Sequence, residues 1–566
     1  MSNSTLVNSE SISGVADGQA STLHRKIGWK GAFWVASGVP ALVLFSIGAV
    51  AATVGKPSWL VWLLSISFGF IQAFTYAEIA GLFPNKSGGA SVYGAVAWVR
   101  YSKFIAPISV WCNWLAWTPV LSIGSGLAAG YILTTLFPAD SIINTWQFTL
   151  LDLDHIKTGL SLRINSTFIL GATVLLTVFS VQHGGILRSA RVTTILGVTA
   201  LIPLILIGLV PLITGDAPSA NFLPLVPISY DTVGNVVDGS WNISGWTLMA
   251  GGLFIAGWSS YAFETAVCYT REFKNPKTDT YKAILYAGLL CILVYTFVPM
   301  AFQGHLGLGQ LVTPAVVDSN GAITTAAVYS GMLSPDIYSG MGVATVMSSM
   351  IKGGPIVEHV IIVMLVMSLA LAIMTSMAGS SRTLYQASID GWLPKYLSHV
   401  NEHGAPTRAM WTDLSFNLLL LMMSDYVFVL AVSNVSYMIF IFLNLNAGWI
   451  HRIDRPNWER PYKAPTYLLW LGGALSFVNL ALMGMGADIW GAGTLKVGLV
   501  FSALILPVFI FRHYIQDKGV FPAEMVEDMH LSGNEEGVSK KAGVLPYITL
   551  IAAVLITYYF HSIASI

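Results

Sequence analysis

Glu264 is the one charged residue between positions 246 and 270, a run otherwise made of apolar, small and hydroxyl side chains. An ionisable group in such a run is costly, so it marks a place where a proton is taken up and released or a cation is met. Immediately before it, Gly257-Trp258-Ser259-Ser260-Tyr261 sets an amphipathic indole beside hydroxyls and breakable backbone. A second cluster, Ser37-Gly38-Val39-Pro40-Ala41-Leu42, interrupts an apolar run in the same way. Pro40 removes an amide donor there and clashes with the preceding turn. Ser376, Gly379 and Ser380 could offer oxygens to a sodium ion. The apolar runs hold no paired carboxylates, His/Cys metal cluster or nucleophile elbow, so neither an enzyme, a metal centre nor a cofactor is expected. Cys112, Cys268 and Cys291 read as small apolar residues, and His183, His305 and His359 fall in or near loops.

The elements that must position these groups follow from composition. The chain has 566 residues, of which 55% are hydrophobic and 10% charged, where a soluble protein carries about a quarter charged. Its mean hydropathy is +0.68, which implies an all-α integral membrane protein surrounded by lipid. The net charge of zero gives no reason to expect a nucleic-acid partner. Windows of about 20 apolar residues, enough to cross the hydrocarbon core, fall near 31–53, 59–83, 104–137, 167–182, 192–214, 246–270, 282–304, 355–387, 409–424, 427–450, 465–487, 493–513 and 544–563. The third and eighth are long enough to need tilt, and the fourth and ninth are short. The first residues, rich in Ser, Asn and Gly, read as a disordered tail without a cleavable signal. Numbering the spans from a cytoplasmic N-terminus places every lysine and arginine inside except Lys56, Lys157, Arg163, Lys352 and Lys496. A plasma membrane location is expected, the inner membrane if the source is bacterial. Two outer loops are long, 138–166 and 305–354. Ala326–Leu333 and Met341–Ile351 in the second are either surface helices capping an outer vestibule or part of a mobile loop.

The two breaks lie mid-span in spans one and six, which are equivalent positions if the core consists of two five-helix repeats. Five is odd, so such repeats have opposite topology, and paired discontinuities in corresponding helices point to a central binding site. Ser37 to Leu42 would then form one wall and Trp258 to Tyr261 the other.

Four segments carry a family resemblance. They are AEIAGLFPNKSGGASVYGAVAW (Ala77 to Trp98), WSSYAFETAVCYTREFKNPKTDTYKAI (Trp258 to Ile284), SSRTLYQASIDGWLPKYLSHVNEHGAPTRA (Ser380 to Ala409) and HRIDRPNWERPYKAP (His451 to Pro465). In order and placement they resemble segments of the amino acid–polyamine–organocation superfamily. The resemblance implies a 5+5 inverted-repeat core over 25–453, peripheral helices over 454–513, and, in this chain, a tail over 1–24, a cytoplasmic linker over 514–543 and a further helix within 544–566. It implies inner-gate ion pairing for Glu78, Glu272, Arg382 and Asp390, and a gating role above the substrate for Trp258. The chain also departs from the family. Ala41, Leu42 and Val43 stand about where typical α-amino-acid members have a Gly-Ser/Thr-Gly triplet, Arg271 replaces an acidic residue, and Ala200 falls where some proton-coupled members place a lysine. The expectation is a secondary active transporter for amino acids or related amines working by alternating access. Glu264 would be the proton site, with exchange or sodium coupling as the alternative. A transport-fold nutrient sensor is the alternative from another class.

Overall fold

Backbone polar groups in hydrocarbon must find partners within the protein, which leaves helices as the solution for long apolar runs. The computed structural model describes residue 23 and residues 25–564 apart from 233, 318–322, 326 and 530–540. The expected tail, save Leu23, and the middle of the expected 514–543 linker lie outside the described residues. Among the described residues, ten helices are long and apolar enough to cross a membrane: Ser58–Leu82, Ala106–Leu136, Ser166–His183, Ile186–Thr214, Pro276–Leu306, Pro355–Ile389, Tyr426–Asp454, Thr466–Trp490, Thr494–Gln516 and Leu545–Ala564. The remaining expected spans fall short of that length for physical reasons. The first is split into Trp29–Ala36, a 3-10 segment Val39–Phe45 and Ile47–Val54. The sixth is split into Ile243–Ala256, a 3-10 turn Gly257–Ser260 and Tyr261–Val267. The ninth, Thr407–Leu421, has only 15 residues. At about 1.5 Å per residue, the 31-residue third span exceeds a hydrocarbon core of about 30 Å, and the 35-residue eighth exceeds it further.

Several local features add to the expected spans. Within the first family segment, Ala90–Trp98 forms a helix with every residue buried. The loop after the fifth span carries a small hairpin, Ile228–Tyr230 with Val236–Asp238. The 138–166 loop is ordered by Gln147–Asp152 pairing with Ser161–Asn165. In the 305–354 loop, the stretch read as either a first surface helix or part of a mobile loop contains a strand, Val328–Tyr329, and a 3-10 turn, Gly331–Leu333. The second is helical over Val343–Met350 and buries Ala344 and Met347.

Span two packs along span seven and span three along span eight, while the 3-10 segments of spans one and six touch each other. On the face that carries Arg25, here called the inner face, the four family segments interlock. Glu78 accepts from Arg452 Nε at 2.8 Å and Nη2 at 2.6 Å, from Arg460 Nε at 3.1 Å and from the Ala464 amide at 2.8 Å. Glu272 pairs with Arg382, the Nη2–Oε1 contact being 2.9 Å. Lys86 bridges Asp390 and Asp528. Burial pushes the Asp528 carboxyl up to about 6, against the pull of Lys86, so it remains ionised at neutral pH.

The last helix, Leu545–Ala564, buries only Pro546 and Ala553 and lies along span eleven. Its start is held at the inner face by Tyr547 Oη donating to Tyr101 O at 2.8 Å. Near its other end His561 Nδ1 lies 4.0 Å from Asp488 Oδ2, beyond the far end of span eleven's α-helix. The helix therefore crosses from the inner face to the opposite one.

Breaking a buried ion pair by removing one partner costs about 3–5 kcal/mol. Glu78→Ala, which strands Arg452 and Arg460, should lower the melting temperature in detergent by several degrees. Glu459→Ala, which removes the exposed partner of Lys277, should leave it within error.

Candidate functional site

The two breaks free backbone carbonyls, and the structure provides a donor for each one named here. In the first, Ser37 Oγ donates to Trp34 O at 2.8 Å and Thr375 Oγ1 of span eight donates to Val35 O at 2.6 Å. In the sixth, Asn434 of span ten donates to Phe254 O and Ser65 of span two donates to Ala256 O at 2.8 Å. Sequence reasoning missed Thr375, Asn434 and Ser65. Their only signal was a polar residue in an apolar run, which many transmembrane positions share. Gly38 explains how closely spans one and eight approach. A Cβ there would lie 2.5 Å from Leu371 O and 2.8 Å from Ala372 Cα, so only glycine fits. Leu42 is buried, as is Pro40. The side chains of Val39, Ala41, Ser259, Ser260 and Tyr261 lie outside the described ones.

Trp258 is 2% exposed. Its ring meets Trp62 edge-on at 6.1 Å and Tyr295 at 5.7 Å, and Trp62 and Tyr295 stack at 5.8 Å. The indole Nε1 has no hydrogen-bond partner among the described residues. Beyond the ring, a cavity of about 30 Å³ is lined by Leu42, Phe45, Val120, Tyr426 and Leu430. That is room for about one water.

Glu264 is fully buried, one helical turn past the 3-10 segment of span six. Its Oε1 accepts from Asn113 of span three, whose Oδ1 in turn accepts from Thr383 Oγ1 of span eight at 3.2 Å. Its Oε2 has no partner among the described residues. Gly89, with φ +91°, opens the helix Ala90–Trp98 beside it, and a Cβ there would lie 3.2 Å from Oε1. A buried carboxyl with one oxygen unengaged and no basic neighbour among the described residues can hold a proton and release it as its surroundings change.

The three candidate cation ligands part company. Ser376 is buried, and its hydroxyl has no partner among the described residues. Gly379 faces Trp117 and Cys268. Ser380 Oγ donates at 2.6 Å to Asp413, a fully buried carboxylate in span nine that also accepts from Trp114 Nε1 at 2.9 Å. Asp413 was overlooked in the sequence, although an acidic residue inside the apolar run 409–424 was a readable signal. Ala200, at the missing-lysine position, is fully buried within a π-helical stretch, Gly197–Leu201. The gate residues named from sequence, Glu78, Glu272, Arg382 and Asp390, lie in the inner-face ion pairs and make none of their described side-chain contacts with the breaks.

The sequence pattern of the amino acid permease family matches residues 27–511. The polyamine transporter PUT1 of Oryza sativa subsp. japonica is 24% identical over 480 residues, covering 83% of this chain and 75% of the relative. The cationic amino acid transporter 9, chloroplastic, of Arabidopsis thaliana is 25% identical over 281 residues, 49% of this chain and 44% of the relative. The branched-chain amino acid permease BcaP of Lactococcus lactis is 22% identical over 306 residues, 53% and 56% of the two chains. A multi-pass helical bundle with two interrupted spans and interlocked family segments, matched over nearly its whole length, belongs to the amino acid permease family of the amino acid–polyamine–organocation superfamily.

Proposed function

We propose that this permease is a proton-coupled secondary transporter that carries amines, ω-amino acids or amino acids across the plasma membrane by alternating access. The observation that carries the reading is Glu264: a buried carboxyl with one oxygen engaged by none of the described residues, one turn from the point where two broken spans meet. The N-terminus is assigned to the cytoplasm from the lysine and arginine distribution, which makes the inner face cytoplasmic. Residues 25–453 form the transport core, and the helices within 454–513 and 544–566 are peripheral. Protons are favoured over sodium because Ser380 is committed to Asp413, which leaves Ser376 as the one unengaged hydroxyl of the three candidate ligands.

The site's chemistry suits a cation better than a carboxylate. The mid-membrane parts of spans one, three, six and eight carry no Lys, Arg or His, while Trp258, which lines the cavity beside the breaks, offers an aromatic ring suited to an ammonium group. The side of Gly38 where a Cβ would stand is filled by span eight, which narrows the approach of a substrate carboxylate to the backbone amides. The name of one relative, a polyamine transporter, supports an amine, and the cationic and branched-chain amino acid carriers among the others keep α-amino acids within the proposed class.

In reconstituted vesicles, Glu264→Gln should abolish the pH dependence of uptake; a mutant keeping the full pH profile would remove Glu264 from the proton role. Trp258→Ala should raise the half-saturation concentration about tenfold, equivalent to about 1.4 kcal/mol of lost contact, and unchanged kinetics in correctly inserted protein would refute the gate. In a competition assay, putrescine and γ-aminobutyrate should inhibit at least as strongly as leucine and glutamate. Inhibition by the α-amino acids alone would defeat the preference for amines.

A further inference from the structure

Asp413 shares with Glu264 a situation that sets both apart from the other buried carboxylates. Among the described residues the buried acids are Glu78, Glu264, Glu272, Asp279, Asp390, Asp413 and Asp454. Glu78 has Arg452 and Arg460, Glu272 has Arg382, Asp390 has Lys86 and Asp454 has Arg100. Asp279 lies in the first turn of span seven and accepts from the Asn275 amide at 2.9 Å, where the helix end favours an anion. Glu264 and Asp413 alone sit at membrane depth with neutral partners.

The charged and titratable groups on the elements packed around Asp413 are engaged elsewhere or turned away. On span eight, Arg382 is turned to Glu272 and Asp390 to Lys86, Tyr385 lies near the inner end, and Glu358 and His359 stand in the first turns, at the far end. Lys395 pairs with Asp517, Tyr396 with Thr412 Oγ1, and His399 with Thr407 Oγ1. On span nine itself, Arg408 is exposed. On span three, Tyr131 donates to Gly340 O and Cys112 is buried, and on span four His183 lies against Phe179. The carboxylate itself meets Ser380, Trp114 and, more distantly at 3.5 Å, Asn417.

The two acids are joined through the same two elements. Consecutive residues of span three serve them, Asn113 donating to Glu264 and Trp114 to Asp413. Neighbouring hydroxyls of span eight do likewise, Thr383 reaching Asn113 and Ser380 reaching Asp413. A shift of span eight against span three would alter the surroundings of both carboxyls together.

We propose that Asp413 is a second proton-binding site of this carrier, linked to Glu264 through the Asn113–Trp114 pair and the Ser380–Thr383 turn. The step is simple protonation: the carboxylate gains a proton to become the neutral acid, and no other bond changes. This inference rests on the proton reading of Glu264, and the test separates the two. Infrared difference spectra of the purified full-length protein, titrated in detergent, report protonated carboxyl groups by their carbonyl stretch without any substrate. Besides Asp528 at the inner face, the wild type should show two titrating components from acids buried at membrane depth. Glu264→Gln should remove one and Asp413→Asn the other, and each single mutant should shift the midpoint of the component that remains. If Asp413→Asn removes no component, the second site is overturned while Glu264 stands. If Glu264→Gln removes none, the proton reading of Glu264 itself falls. Should Asp413→Asn fail to fold, Ser380→Ala serves instead. Losing a donor to the ionised carboxylate should move one component's midpoint to higher pH, and an unmoved spectrum overturns the proposal. Components that titrate independently of each other overturn the linkage.

Discussion

Within about 30 Å of hydrocarbon there is no water to meet a carbonyl or a charge, and each one left without a partner costs several kcal/mol. Most of what distinguishes this chain from a plain helical bundle follows from how that constraint is met. Spans one and six can be interrupted because Ser37, Thr375, Asn434 and Ser65 supply donors to the carbonyls of Trp34, Val35, Phe254 and Ala256. The donors come from spans one, two, eight and ten, so each break is held by a helix distant in sequence. Relative movement of those helices would exchange one set of partners for another, and alternating access requires an exchange of that kind.

The same constraint sorts the charges. At the inner face, where helices leave the membrane, opposite charges are joined pair by pair: Glu78 with two arginines, Glu272 with Arg382, Lys86 with two aspartates. These contacts connect the four family segments to one another. Beside Trp258 lies a cavity of about 30 Å³. Glu264 and Asp413, by contrast, sit in membrane-spanning helices with neutral partners. Charge pairing thus ties the inner face together, while the two deeper acids meet only neutral groups among the described residues.

Much of this was legible in the sequence because it depends on composition and on single residues that break rules. The thirteen apolar runs, the short ninth span, Pro40, the Gly257–Tyr261 cluster and Glu264 all announce themselves locally. The partners did not. Nothing in the sequence near Thr375 or Asn434 says which carbonyl it will meet, because that depends on which helices become neighbours. Ser380 illustrates the limit. Its spacing from Ser376 suggested a shared cation site, but its hydroxyl is turned to Asp413, an acid 33 residues further along the chain. The buried helix Ala90–Trp98 was hidden for a related reason, since nine residues of small and aromatic side chains are too few to read as a span.

Where the solute binds decides the role of both broken spans. Electron cryo-microscopy of the full chain in lipid nanodiscs, with putrescine or leucine at saturating concentration, addresses it directly. Solute density between the Val39–Phe45 and Gly257–Ser260 segments, beneath the Trp258 ring, is the predicted result. Continuous helices through both positions, or solute bound elsewhere with this region filled by side chains, would contradict it.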